Sequence, residues 1–378
     1  MGKLLVVRKF LLFLAFTCSV YAEFNYRIEN SNFTISQASL IPNEDKTYLY
    51  NYDRLRFRGD YTQEDYFFTL IADGVNYYGE EYVNSINFEY IKLFEADTPF
   101  KAQTSYKEYK SGSAYAKLYR VYGGYEDDKN RVVIGLQNIT MGVGRVWNPT
   151  NLFNPRNTYA LEPDETFGVL AISYSRSITP NSSLSVVASQ KADDSFKYAG
   201  QYKSFFDFAD FGINVVSSDE TTMLGYEIEA NLADTGVEIR SEGAYIKNET
   251  EFFQGIIGAD YAFVNGISMG VEALYSSQTF TYKDILLNYD SEILQNLVFS
   301  NFYTAVTLTY SPTIYLDTAL LYIESFSDIN SRFISPILTY TFNDYNSFVL
   351  GAMLQNGKEG SEFGVFENSY YFKWLLSF

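Results

Sequence analysis

YYFKWLLSF, residues 370–378, ends the chain. Tyr370, Phe372, Trp374, Leu376 and Phe378 share one parity, and each is apolar or aromatic. A β-strand turns successive side chains to opposite faces, so this spacing predicts a strand with one wholly greasy face. Such a strand fits two architectures. In a soluble sandwich the greasy face turns inward to a core. In a membrane-spanning barrel it turns outward to lipid and the other face lines the lumen. The strand alone does not separate the two; the size of the chain and its connection lengths do.

Working backward, the alternation recurs. Leu224, Tyr226, Ile228, Ala230 and Leu232 alternate with Gly225, Glu227, Glu229 and Asn231, and Val237 and Ile239 with Glu238, Arg240 and Glu242. From residue 113 onward the pattern gives fifteen strands, beginning near 113, 131, 166, 184, 197, 210, 221, 237, 251, 267, 298, 314, 330, 346 and 367. Before residue 113 it gives fair strands at 47–58 and 63–72, weaker ones at 84–95 and 100–110, and an opening one at 24–38. Short turn signals such as Asp234-Thr-Gly236, Asn265-Gly266, Ser311-Pro-Thr313 and Asn343-Asp-Tyr345 suit tight hairpins. They interleave with long connections at 142–165, 278–297 and 356–366. Short turns at one end and long loops at the other is the wiring of a transmembrane antiparallel up-and-down β-barrel. With both ends of the chain on one side the strand number is even, and eighteen is expected, with sixteen and twenty open.

The N-terminus carries basic Lys3, Arg8 and Lys9, an apolar run Phe10–Phe16, and small or aliphatic residues before Ala22. That is a secretory leader, expected over 1–22 with one barrel domain over 23–378. The leader takes Cys18, the one cysteine, so no disulfide framework is expected. It also takes three of the 28 basic residues, leaving 25 against 46 acids, a net charge of −21. So acidic a chain should not bind nucleic acid through its field. With no histidine there is no Ser-His-Asp triad and no histidine-bearing zinc site; the paired carboxylates Glu227/Glu229 and Glu238/Glu242 would suit glycoside hydrolysis but read more simply as wetted lumen residues, so no enzyme, metal or cofactor is expected. The 35 Tyr and 32 Phe suit the aromatic girdles of a membrane barrel.

Two stretches carry a resemblance. The last strand, through Tyr370, Phe372, Trp374, Leu376 and Phe378, resembles the C-terminal assembly signal of bacterial outer-membrane barrels. The stretch around VGRVWNPTNLFNPRN (143–157) resembles uncharacterised porin-like outer-membrane barrels of Gram-negative bacteria. It does so through Gly135, Gln137, Gly142, Trp147, Asn148, Pro149, Leu152, Phe153, Asn154, Pro155, Pro163 and Gly168. It departs at Leu136, where Arg is usual, at Met141, where Trp is usual, and at Asn151 in place of Asp. The resemblance implies the outer membrane, with the bilayer and the assembly machinery as partners, and no particular substrate.

Prolines fix φ and remove donors, so a long loop with Pro149 and Pro155 is rigid and its apolar residues can anchor it. It either caps the barrel or enters the lumen as a constriction. Its candidates are Arg145, Trp147, Asn148, Asn151, Phe153 and Arg156, with Glu162, Asp164 and Glu165 just beyond. Glu227, Glu229, Glu238, Arg240 and Glu242 stand on polar parities and are expected as wetted lumen residues. The segment 281–297 reads, through Ile285, Leu286, Ile293, Leu294 and Leu297, as a short amphipathic helix on an outer loop, expected to lid the rim, with plugging or contact with a neighbouring protomer as the alternatives. The expected function is passive diffusion of ions and small polar solutes, with a modest preference for cations. A closed-barrel adhesin or structural protein and a saccharide transporter are the alternatives, and a homo-oligomer stays open. Replacing Phe378 by Ser, or deleting the last strand, should lower the level of assembled protein in the outer membrane. Normal levels of the truncated chain would contradict this reading.

Overall fold

The computed structural model describes residues 22–41, 44–327, 329–364 and 367–378, so nearly all of the expected leader lies outside the described residues. The first strands are β1 (Glu23–Ala38), β2 (Thr47–Gln63), β3 (Tyr66–Tyr78), β4 (Lys107–Tyr109), β5 (Gly112–Glu126) and β6 (Asn130–Gln137). Then come β7 (Val169–Thr179), β8 (Ser182–Gln190), β9 (Phe196–Phe205), β10 (Asp210–Ser217), β11 (Thr222–Asn231), β12 (Val237–Lys247) and β13 (Glu251–Ala262). The last are β14 (Ile267–Ser276), β15 (Phe302–Thr313), β16 (Leu316–Phe326), β17 (Ser331–Asn343), β18 (Asn346–Asn356) and β19 (Ser369–Ser377).

Each strand pairs antiparallel with its neighbour, except that β3 pairs with β5 and the short β4 lies beside β5 outside the ring. Eighteen strands therefore form the ring. It closes between β1 and β19, from Glu29 opposite Ser377 to Ser36 opposite Tyr370. A closed ring leaves no lateral row of unpaired backbone groups, which is what a sheet needs where no water can satisfy them.

The expected strands from β5 onward appear close to their expected starts. The N-terminal part differs. Residues 84–95 are not a strand. The chain there forms two short helices, Glu80–Val83 and Ile86–Ile91, and 100–110 supplies only β4. Ser85 caps the second helix by accepting from the Phe88 N–H. Tyr82 and Phe88 are fully buried against Tyr48, Tyr50 and Tyr77 of the wall. Aromatic packing inside the barrel overrides a weak strand preference.

Short connections at 64–65, 127–129, 180–181, 206–209, 232–236, 263–266, 314–315 and 344–345 gather at one end. Both ends of the described chain lie there too, since Phe378 donates to and accepts from the Ile28 backbone. Gly266, at φ 86°, supplies the left-handed conformation its turn requires. The turn expected at 311–313 falls at 314–315 because β15 continues through Thr313. At the other end, 79–111, 138–168, 277–301 and 357–368 are long.

The greasy parity faces out. Ile257 is 67% exposed while its neighbour Ile256 is 3% exposed. Leu224, Ile213, Leu350, Tyr370, Phe372 and Trp374 join the outward belt. A contiguous belt of this kind is incompatible with water around the whole ring. The buried core lies inside the ring, where the long loops pack on the inner wall. A folded ring of this kind should migrate faster than its heat-unfolded form on a detergent gel, with a β-dominated circular dichroism spectrum. Equal migration with solubility in the absence of detergent would contradict it.

Candidate functional site

Residues 138–168, between β6 and β7, fold into the lumen. They do not cap it. Six successive amides, Gly142 to Trp147, meet three carboxylates of the wall. Glu227 accepts from Gly142 at 3.2 Å. Glu242 accepts from Val143 at 2.8 Å and Gly144 at 3.0 Å, then from the Thr150 amide at 2.7 Å and hydroxyl at 2.8 Å. Glu272 accepts from Arg145 at 2.9 Å, Val146 at 3.0 Å and Trp147 at 2.9 Å. Gly142 adopts φ 90°, and a Cβ there would run into the Glu242 carboxylate and the Asn148 side chain. Only glycine brings the backbone this close to the wall.

Apolar side chains complete the seat. Trp147 packs on Tyr303 with centroids 5.7 Å apart, while Leu152 and Phe153 enter a cluster with Val216, Met223, Ile246 and Phe252. Asn151 and Asn154 brace the turn: the Asn151 amide donates to the Asn154 carbonyl at 2.7 Å, and Asn154 Oδ1 accepts from the Ile139 N–H at 2.6 Å. The Asn148 carbonyl accepts from the Asn151 N–H at 3.2 Å.

The second half of the loop crosses to the far wall. Tyr159 packs on Phe333 and Phe363. Glu162 receives Arg54 through two hydrogen bonds, at 2.8 and 3.1 Å, and Lys373 at 3.0 Å. Glu165 receives Arg56 through two, both 2.9 Å. Burial opposes charge on Glu165, but the Arg56 hydrogen bonds and the positive charges of Arg54 and Arg56 hold its carboxyl at about 2. Arg120 donates to the Thr166 carbonyl at 2.8 Å. The loop thus meets residues of β2, β5, β10–β15, β17 and β19.

The candidates read from sequence divide accordingly. Trp147, Asn151 and Phe153 are buried as anchors. Glu162 and Glu165 are ion-paired to the wall. Glu227, Arg240 and Glu242 face inward as expected but are not wetted, being 2%, 2% and 0% exposed. The loop covers the two glutamates, Lys203 and Asn214 add to the coordination of Glu227, and Arg240 is tied to Glu272 and Asp260. Glu229 and Glu238 stay more open and flank Arg145, whose guanidinium lies 2.8 Å from Glu238, 3.5 Å from Glu229 and 3.7 Å from Asp260. Arg156 donates to the Arg145 carbonyl at 2.6 Å and pairs with exposed Asp164 at 3.3 Å. Glu272, Arg54, Arg56, Asp260 and Lys373 are participants the sequence reading missed. Glu272 had a signal: it is the one charge in the strand ISMGVEALYS.

The 281–297 segment does form a helix, Tyr282–Leu287, closed by a capping box of Thr281 and Asp284. It does not merely lid the rim. The turn after it buries Ile293 and Leu297 beside Leu152 and Phe153, and Asn296 donates to the Pro149 carbonyl at 3.2 Å. Apolar residues at 293 and 297 gain more by packing on the constricting loop than at a wet rim. Two cavities flank the loop. One of about 690 Å³ opens toward the short-turn end past Arg145, Arg156, Asp164, Glu238 and Asp260. One of about 540 Å³ opens toward the long-loop end past Lys101, Lys117, Asp193, Glu220 and Glu292. The stacked Tyr50 and Tyr82 rings, 3.5 Å apart, lie in neither, and Tyr82 is fully buried, so this stack is core and not a path for sugars.

A closed ring of eighteen strands, greasy outside and holding an irregular loop clamped within, is the architecture of a membrane-spanning β-barrel with a narrowed lumen. Comparison with solved structures gives the same fold. The chain is similar to OccAB3 of Acinetobacter baumannii (12% identity, 94% of this chain and 99% of that one, TM-score 0.58). It is also similar to the outer membrane protein opdK of Pseudomonas aeruginosa (9%, 94% and 99%, TM-score 0.56) and to OpdK solved with vanillate (10%, 94% and 98%, TM-score 0.58). At these identities the likeness is one of fold. No protein-family model matches the chain, and no curated protein matches it in sequence.

Replacing Glu242 by Gln should halve the acceptor capacity at the clamp and leave buried amides short of partners. Each buried donor so stranded costs about 1–3 kcal/mol. The loop should then become cleavable by an added protease in the folded barrel while the ring still resists heat on a gel. A variant as protected as the parent would show that the Glu242 contacts do not hold the loop.

Proposed function

We propose that the chain is an outer-membrane channel that passes small polar solutes by diffusion, with the 138–168 loop as its constriction. The observation that carries this reading is the loop itself, held inside the lumen with a charged cavity on each side. The outward greasy belt and the likeness in fold to the outer membrane protein opdK support the location. The C-terminal strand supports it too, because Tyr370, Phe372 and Trp374 stand exposed on the outer face, where an assembly factor and then lipid would meet them.

Selectivity in such a pore follows lumen charge and width. Around the short-turn cavity the open charges are Arg145 and Arg156 against Asp164, Glu229, Glu238 and Asp260. Acids outnumber bases, which favours cations modestly. Because Glu227, Glu242 and Glu272 are engaged by the loop, they contribute less than their number suggests.

The test is conductance and reversal potential of the purified protein in a planar bilayer. Discrete steps and a cation-directed reversal potential are expected. The preference should weaken between 0.1 M and 1 M salt as the screening length falls from about 10 Å to about 3 Å. Glu229→Gln combined with Glu238→Gln should reduce it further at low salt. A protein that inserts but never conducts would favour the closed adhesin or structural reading. Conduction with selectivity untouched by the double change would move the filter elsewhere.

A further inference from the structure

The short-turn rim is not uniform around the barrel. The three turns between β2 and β8 carry no large apolar group at their tips: Glu64 and Asp65, then Asp127, Asp128 and Lys129, then Pro180 and Asn181, with exposed Ile178 on the strand before the last of these turns. The turns from β9 to β18 present large apolar groups. Phe206 and Phe208 stand at the β9–β10 turn and, with Phe211, form a cluster of rings 5.7–5.9 Å apart. Val264 at the β13–β14 turn is completely exposed, and Ile314 at the β15–β16 turn is 86% exposed. Leu232, Tyr315 and Tyr345 are exposed as well, and Tyr345 packs on Phe378, which is itself exposed. The polar side does carry the exposed aromatics Phe24, Tyr26 and Tyr66, but these stand on strands and not at turn tips.

We propose that the β9–β18 half of this rim seats in the interfacial layer of a phospholipid membrane while the β2–β8 half stands in water. This rests on the membrane reading above. Turn tips need no apolar side chains for their geometry, and tips in water expose them at a cost. Here the outward belt runs into the tips, with Asp207, Asp234 and Asp344 interspersed: Ile213 and Phe211 lead to Phe208, and Tyr261 packs on Phe263 with centroids 4.7 Å apart. The mixture of Tyr and Phe suits the membrane boundary, where a ring can be buried and a hydroxyl stay wet. The greasy tips follow half the circumference. They are continuous with the outward belt, so the lipid that covers the belt can cover these tips as well.

The chain without its leader has no cysteine, so single cysteines can be placed for a fluorescent label. Val264→Cys and Ile314→Cys probe the greasy tips, Asp128→Cys and Asn181→Cys the polar ones, and Ile257→Cys the belt. The labelled barrels are reconstituted in phosphatidylcholine vesicles. They are challenged with nitroxide carried on the lipid headgroup or shallow acyl chain, and with iodide on both sides of the membrane. Labels at 264 and 314 should be quenched several-fold more by the lipid nitroxide than by iodide, with the reverse at 128 and 181. Iodide quenching at 264 and 314 equal to that at 128 would overturn the proposal. So would shielding of both positions from both quenchers, which would indicate a protein contact. If the label at 257 escapes the lipid nitroxide, the membrane reading itself fails; if 257 is quenched and the tips are not, only the seating of the rim fails.

Discussion

An irregular stretch of backbone can lie inside a barrel only if its N–H groups find partners there. In this protein those partners are Glu227, Glu242 and Glu272, aimed inward from β11, β12 and β14 at the amides of 142–147. Glu242 depends on the loop most completely. It is fully buried, and its hydrogen-bond donors are loop amides and the Thr150 hydroxyl. The loop and the wall are therefore mutually necessary: without the loop Glu242 would be a bare acid on an inner wall, and without the acids the loop would carry buried, unpaired donors. The rest of the lumen follows from this clamp. It places Trp147 and Leu152 against the wall, carries the chain across to Arg54 and Arg56, and leaves Arg145 projecting among Glu229, Glu238 and Asp260.

The clamp also changes how the charge of the barrel is to be counted. Acids that face the lumen by parity belong to two populations. One neutralises the loop or a buried base and is shut away from solutes. The other, Glu238 and exposed Asp164, borders the cavity with Glu229 close by at Arg145, while Asp260 belongs to both, since it lines the cavity and pairs with buried Arg240. Net charge and strand parity do not distinguish the two; only the path of the loop does. The same loop explains why the inner face turns apolar toward the long-loop end. There Met223, Ile246 and Phe252 point inward because loop residues cover them.

Much of the ring was legible from the sequence. Parity at Leu224–Leu232 and Tyr370–Phe378 marked the outward face, and turn residues such as Asn265-Gly266 marked the short end, because both depend on local rules. What depended on distant contacts was not legible. Residues 84–95 alternate weakly, yet Tyr82 and Phe88 gain more by packing on Tyr50 and Tyr77 than by extending the sheet. The rigid, aromatic character of 143–157 announced a packed loop, but nothing local said which wall would receive it. Its partners lie from about 85 to 127 residues along the chain, and Glu272 escaped notice although it is the one charge in its strand. The segment 281–297 was legible as an amphipathic helix through the spacing of Ile285, Leu286, Ile293, Leu294 and Leu297, but its packing partner was not, since Ile293 and Leu297 pack on residues far back in the chain.

The proposed constriction is the clamped loop, at the narrowest part of an open pore. It is tested most directly by single-channel conductance of a barrel lacking residues 145–157, measured beside the parent under the same salt. Steps that are larger in the shortened protein, from a ring that still assembles, are the expected result. Steps of unchanged size would show that the loop lines the lumen without setting its width.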